Sequence, residues 1–253
     1  MIICDISFWQ NDPTTPQSVD FDVMALNADG VILRAGQHTW KDRDFKQYWE
    51  ASRGKLPRGS YWFYDSRVQP KRQAELWFNI MDGDFGELPM WCDFEDRYGG
   101  PYTGWKYFYD FMACLEVLVP NKELGVYTGF YYWREMTIAK AIPMASLNYF
   151  KRFPLWIAAY NTIAPKVPDP WSDWTLWQFT DNGDGTKYGV ESKNIDLNYF
   201  NGTEDEFRAR FGLGEMSEPT DLPPPTGEAV TVQHVDLTLT MSDQSIIKLR
   251  RTE

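Results

Sequence analysis

The stretch Leu88-Pro-Met-Trp-Cys-Asp-Phe-Glu-Asp-Arg97 joins an apolar run to three acids, Asp93, Glu95 and Asp96. Residues 88–94 are apolar and aromatic enough for a buried strand, and Gly99-Gly100-Pro101 behind them is a loop signal. In a strand, residues i and i+2 share a face roughly 6.5–7 Å apart. Asp93 and Glu95 therefore point the same way at the strand's C-terminal end. Two carboxylates so placed suit cleavage of a glycosidic bond, where one acid protonates the leaving oxygen and another group serves the opposite side of the sugar. A solvated acidic turn after a core strand uses the same residue types. The surroundings of the pair decide between the two.

Holding such a pair takes a scaffold, and hydrophobic periodicity supplies one. Strands are expected over 1–7, 30–36, 58–64, 88–94, 124–128, 154–160, 174–180 and 194–198. Helical spacing runs over 42–55, with Asp42 as the N-cap, and over 70–82, with Pro70 in the first turn. Further helices are expected over 103–118, 130–140, a short stretch before Phe153, and 204–211. Strands alternating with helices imply right-handed βαβ units and a parallel sheet. The last three strands are joined by loops rich in Pro, Gly and Asp. An α/β, eight-stranded TIM-like barrel with a degenerate last third fits this order better than an open doubly wound sheet, for which a Gly-rich phosphate loop is missing.

In such a barrel the active site sits at the C-terminal ends of the strands. Those ends carry Asp5, Arg34, Tyr61, Phe63, Asp93, Glu95, Tyr127, Trp156, Tyr160, Gln178 and Asp196. Four carboxylates and several aromatic rings meeting at one rim outweigh any single motif. An aromatic content of 17% also exceeds what packing asks for, and amphipathic rings stack on sugar faces.

The net charge of −11 argues against nucleic acid and against docking on anionic lipid, and no apolar run has the length of a membrane span. The first residues read as a strand without a basic n-region or apolar h-region, so no signal peptide is expected. A protein working outside the cytoplasm would then need phage-type release or a removed leader. Cys4, Cys92 and Cys114 form no disulfide pattern; Cys4 and Cys92 each precede a strand-end Asp and should face outward as buried thiols.

Residues 1–214 read as the catalytic barrel and 215–228 as a proline-rich linker. Residues 229–253 read as a β-hairpin tail, too small to stand alone. It is either the start of a truncated module or a segment that pairs with another copy, making a homo-oligomer.

The chain resembles the family 25 glycoside hydrolases, the Chalaropsis-type lysozymes that include many phage endolysins. The matching pieces run in order from Asp5-Ile-Ser-Phe-Trp-Gln10 through Val31-Ile-Leu-Arg-Ala35, Gly59-Ser-Tyr-Trp-Phe63 and Leu88-Pro-Met-Trp-Cys-Asp-Phe-Glu95. Val126-Tyr-Thr128, Pro154-Leu-Trp-Ile-Ala-Ala-Tyr160, Trp177-Gln-Phe-Thr180 and Ile195-Asp-Leu-Asn198 complete the set, which ends near residue 202. The resemblance implies a (β/α)5(β)3 barrel that cleaves the β-1,4 bond between N-acetylmuramic acid and N-acetylglucosamine in peptidoglycan, at the cell wall. It implies Glu95 as general acid, Asp93 as its partner, and Asp5 and Asp196 as the other acids of the cleft. Arg34, Tyr61, Phe63, Tyr127, Trp156, Tyr160 and Gln178 are the expected substrate contacts. Trp62 departs from the family, where His is frequent, and an effect on subsite detail is expected there.

No cofactor or metal is expected. A zinc amidase needs His or Cys ligands, and His38 and His234 are the only histidines, the second in the tail. A Ser or Cys triad wants a positioned His and meets the same shortage. A glycan-binding barrel with the chemistry lost is the rival reading. Retention of all four acids counts against it.

Overall fold

The computed structural model describes residues 1–15, 18–160 and 162–214, and the backbone of 236–240 and 246–250. The linker expected over 215–228 and the rest of the tail lie outside the described residues. The barrel strands are β1 (Ile2–Ile6), β2 (Gly30–Gln37), β4 (Arg58–Phe63), β5 (Met90–Asp93), β6 (Leu124–Gly129), β7 (Leu155–Ala158), β8 (Leu176–Asp184) and β9 (Asn194–Phe200). β1 pairs with both β2 and β9, which closes the ring, while β3 (Trp40–Lys41) hangs on β2 as a short hairpin. The barrel strands from β1 to β8, which exclude the antiparallel β3, run parallel, and β9 is antiparallel to both of its neighbours.

Helices α1 (Phe21–Ala25), α2 (Phe45–Ala51), α3 (Pro70–Met81), α4 (Trp105–Leu118), α5 (Phe130–Met136) and α6 (Met144–Phe150) cover the strands up to β7. Among the described residues, no α-helix joins β7 to β8 or β8 to β9, and α7 (Glu204–Phe211) follows β9. This is the α/β barrel with a helix-poor last third that the loop composition implies. Among the described residues, no helix is long and apolar enough to cross a membrane.

Alternation along each strand divides the core in two. Outward residues, including Cys4, Trp62, Cys92, Phe94 and Ile157, pack against the helices, and the three cysteines are buried and free. Inward residues Ile3, Ile32, Trp91, Tyr127, Trp156 and Leu176 fill the barrel. Trp91 fits because Gly125 lies beside it: a Cβ there would come within 2.3 Å of the indole.

Three local expectations are corrected. The helix over 42–55 contracts to α2 with Asp44 at the N-cap position, and the Asp42 carboxylate instead accepts from Arg34 and from the backbone N–H groups of Phe8 and Asp44. Only residues 90–93 of the strand expected over 88–94 pair in β5. Trp62 does not border the cleft. It is fully buried, stacks on Trp77 at 6.4 Å and donates its indole N–H to Gln73 Oε1 at 3.1 Å. Gly36 makes room for it, since a Cβ there would meet the ring at 2.5 Å.

In the tail, β10 (Asp236–Thr240) and β11 (Ile246–Arg250) pair antiparallel, with Leu237 opposite Leu249 and Leu239 opposite Ile247.

Candidate active site

A cavity at the C-terminal ends of the parallel strands, where the antiparallel β9 begins and so brings Asp196 from its N-terminal end rather than its C-terminal one, is lined by Asp5, Tyr61, Asp93, Glu95, Tyr127, Trp156, Gln178 and Asp196. Each comes from the inward face of its strand or from the residues just past its end. Asp93 and Glu95 enter together because Cys92 before them and Phe94 between them point into the helical layer. Asp5 and Asp196 enter as direct partners in the β1–β9 register. Two like charges placed opposite each other across a ladder destabilise a sheet, so fold stability does not account for this pair.

Asp5 and Asp93 are buried, and Glu95 and Asp196 are half-buried. Burial, the charge of Asp5 and the other acids push the whole group up. Glu95 is raised to about 7, by burial and then by Asp5, against the opposing pull of a Tyr127 hydrogen bond and Arg97. Asp196 is raised to about 8, by burial, Asp5, Asp181 and Glu95. Asp93 rises well above the usual carboxylate range through burial, then Glu95 and Asp5, with Arg34 opposing. Asp5 is raised to about 6 by burial, which hydrogen bonds from Asn198 and Gln178 partly offset. The titrations of these acids are coupled, so the protons leave in successive steps, and the cluster holds more than one at neutral pH.

Aromatic rings form the walls. Trp156 lies edge-on to Tyr127, Trp91 and Tyr61 at centroid distances of 4.6, 5.5 and 6.3 Å. Three of the expected contacts do not line the cavity. Tyr160 reaches it through Gln178, whose Oε1 accepts its hydroxyl at 2.6 Å. Phe63 packs 6.2 Å from Tyr98 at the rim. Arg34 turns its Nε to Asp42 at 2.9 Å under the Phe8 ring, leaving Nη2 buried without a partner. Asn198, Asp42 and Asp181 are the residues the sequence reading missed. The signal for Asn198 was its place two residues after Asp196, on the same face of a strand. Among the described residues, no group of His, Cys, Asp or Glu side chains is arranged to hold a metal ion.

A closed α/β barrel carrying proton-retaining carboxyls in an aromatic-walled cavity at its strand ends defines a glycoside hydrolase site. The sequence profile of glycosyl hydrolases family 25 matches residues 4–187, and the chain belongs to that family. Lysozyme M1 of Streptomyces globisporus is 25% identical over 213 residues, covering 79% of this chain and 67% of its own. The uncharacterized protein YegX of Escherichia coli O157:H7 is 28% identical over 215 residues, covering 81% and 71%. Among solved structures, a bacterial lysozyme from Streptomyces coelicolor superposes with a TM-score of 0.67 at 22% identity, covering 84% of this chain and 97% of that one.

Proposed function

We propose that the protein is an N-acetylmuramidase that hydrolyses the β-1,4 bond between N-acetylmuramic acid and N-acetylglucosamine in peptidoglycan, with Glu95 as general acid. The observation that carries this reading is a half-buried Glu95 raised to about 7 within the acid cluster. A carboxyl of that pKa still holds its proton at neutral pH and gives it up readily. Family membership and the similarity to a lysozyme support the substrate.

Glu95 protonates the glycosidic oxygen as the bond to C1 breaks. The acetamido oxygen of the muramyl residue closes on C1 from the opposite face, one of the known exceptions to a carboxylate nucleophile. Asp93 Oδ1 is buried without a hydrogen-bond partner, and such an acceptor suits the acetamido N–H. Water then attacks C1, giving its proton to the Glu95 carboxylate, and the anomeric configuration is retained. The action is on the cell wall.

The test is a digest of purified peptidoglycan by the wild type and Glu95→Gln, followed by borohydride reduction and mass analysis of the new ends. Muramitol ends from the wild type, lost in the variant, are expected. Glucosaminitol ends would move the cleaved bond. No new ends from either protein would leave a glycan-binding barrel, and an inverted first product would exclude the acetamido route.

A further inference from the structure

Asp5 differs from the other three acids in what holds it. Its Oδ2 accepts two N–H groups, from Gln178 Nε2 at 3.0 Å and from Asn198 Nδ2 at 2.8 Å. Asp93, by contrast, has a buried oxygen with no partner. Asn198 is not free to turn over. Asn198 Oδ1 accepts the indole N–H of Trp156 at 2.6 Å, and its second N–H donates to the Ile3 carbonyl at 2.9 Å. An indole nitrogen only donates, so a flipped Asn198 would set donor against donor. Gln178 Oε1 accepts the hydroxyls of Tyr127 at 2.8 Å and Tyr160 at 2.6 Å. Those hydroxyls can accept as well as donate, so it is the acceptor-only Asp5 carboxylate that keeps the Gln178 N–H turned toward it. Gln178 and Asn198 are themselves 3% and 0% exposed, so water does not substitute for these bonds.

We propose that Gln178 and Asn198 are positioning residues: their carboxamides select Asp5 as the first acid of the cluster to ionise, and through that anion they set how firmly Glu95 keeps its proton. Two N–H donors on one oxygen stabilise a carboxylate over a carboxylic acid. The charged and titratable groups near the Asp5 anion lie in the same ring, apart from the Cys4 thiol behind it, which the Asp5 charge raises. Asp196 stands across β9, Arg34 on β2, Tyr61 on β4, and Asp93 and Glu95 at β5. Tyr127 of β6, Tyr160 after β7 and Asp181 of β8 complete it, with Arg97 beside Glu95. The Asp5 charge raises Glu95, Asp93 and Asp196 alike. Tyr127 adds a direct link. It has one proton to give, and it serves the Glu95 carboxylate or Gln178 Oε1, but not both at once. A protonated Glu95 leaves that proton on Gln178, which keeps the amide aimed at Asp5.

The inference rests on reading Glu95 as the acid, and it has a readout that does not need activity. The carboxyl carbons of 13C-labelled Asp and Glu are titrated by NMR in the wild type, Gln178→Met, Asp5→Asn and the double variant. In Gln178→Met the Asp5 midpoint should rise by about one unit, the value of one hydrogen bond to a charged group. The Glu95 midpoint should fall, and the alkaline limb of kcat/KM should move to lower pH with it. In the Asp5→Asn background, Gln178→Met should move Glu95 less than it does with Asp5 present, the remainder being the Tyr127 proton that the variant frees. An unmoved Asp5, or a Glu95 shift as large without Asp5 as with it, overturns the proposal. Tyr160→Phe, at the exposed rim, is the second variant; it removes one of the two hydroxyls that aim Gln178, and a smaller shift in the same directions is expected. Midpoints that move as stated in a protein unable to cut peptidoglycan would sink the muramidase reading alone. A cutting enzyme with unmoved midpoints would sink the positioning role alone.

Discussion

Arg58, at the lower end of the barrel where β4 begins, is 2% exposed, and its guanidinium meets Asp84 at 3.2 Å and Glu87 at 3.1 Å. Trp49 and Arg53 also donate to Asp84, and the Arg58 guanidinium lies 4.6 Å from the Trp49 ring. At the upper end, Asp5, Asp93, Glu95 and Asp196 converge, and among the described residues no Lys or Arg forms an ion pair with any of them. The cation at hand, Arg34, is committed to Asp42. Burial raises the carboxyls at both ends. At the lower end the Gly86 N–H and Arg58 reverse this for Asp84, as Arg58 does for Glu87, and hold both below the ordinary range. At the upper end nothing reverses it. A fold able to neutralise buried charge leaves four acids in mutual conflict at one place, and conflict of this kind concentrates at functional sites.

The separation is broken most directly at Glu95. Glu95→Gln should lower kcat by about 10²–10⁴-fold while leaving the thermal midpoint unchanged or higher. Asp84→Ala should do the reverse, because it strips partners from a buried guanidinium. About 3 kcal/mol of stability should be lost, or roughly 6–12 °C in Tm, with kcat/KM at a permissive temperature unaltered. Calorimetry and a turbidity assay on the same preparations read both.

The two ends should also differ in the sign of their pH dependence. Asp5, Glu95 and Asp196 titrate at about 6, 7 and 8 in the folded chain, above their ordinary values. Between about pH 4 and 8 the folded state therefore binds more protons than the unfolded one, and stability falls as pH rises. Asp84 and Glu87 are depressed, so their contribution is present above the ordinary carboxylate range and lost in acid. Asp196→Asn should flatten the decline toward pH 8 and leave the acid limb alone, as followed by urea unfolding across pH. A decline of unchanged slope in that variant would show that the acids are not in conflict.

Much of this was legible in the residues. A two-residue period put Asp93 and Glu95 on one face and sent Cys92 outward, because a buried strand leaves no other arrangement. The same period placed Trp62 outward between Tyr61 and Phe63. Expecting it at a subsite came from the family pattern, and the local alternation was the better guide. Asn198 could have been found from its i+2 relation to Asp196. Its partners Trp156 and Asp5 lie 42 and 193 residues away, and only barrel closure brings them together. Asp42 was misread as a helix cap because the β2–β3 hairpin, which returns it to Arg34, has too short a second strand to show a period.

Trp62→Phe tests that alternation. The ring loses its bond to Gln73 and part of its contact with Trp77, and about 2 kcal/mol of stability should go. Cleavage kinetics at 25 °C should stay within twofold of wild type; a changed KM would return Trp62 to the cleft.

The smallest effect belongs to the rim. Tyr98 is 53% exposed, lies 3.8 Å from the Arg67 guanidinium and stands beside Phe63, outside the acid cavity. The Arg67 side chain is in turn fixed by Asp65, which is fully buried. A ring held this way presents a face to a sugar without touching the reacting bond. It contributes equally before and during bond breaking, so Tyr98→Ala should raise KM about fivefold, the worth of one aromatic contact near 1 kcal/mol, and leave kcat alone. The same KM rise is expected for Phe63→Ala, and in the double variant less than the product of the two, since each ring supports the other. A fall in kcat with KM unchanged would put the pair among the groups that act on the transition state, and the division between a reactive cavity and a binding rim would have to be redrawn.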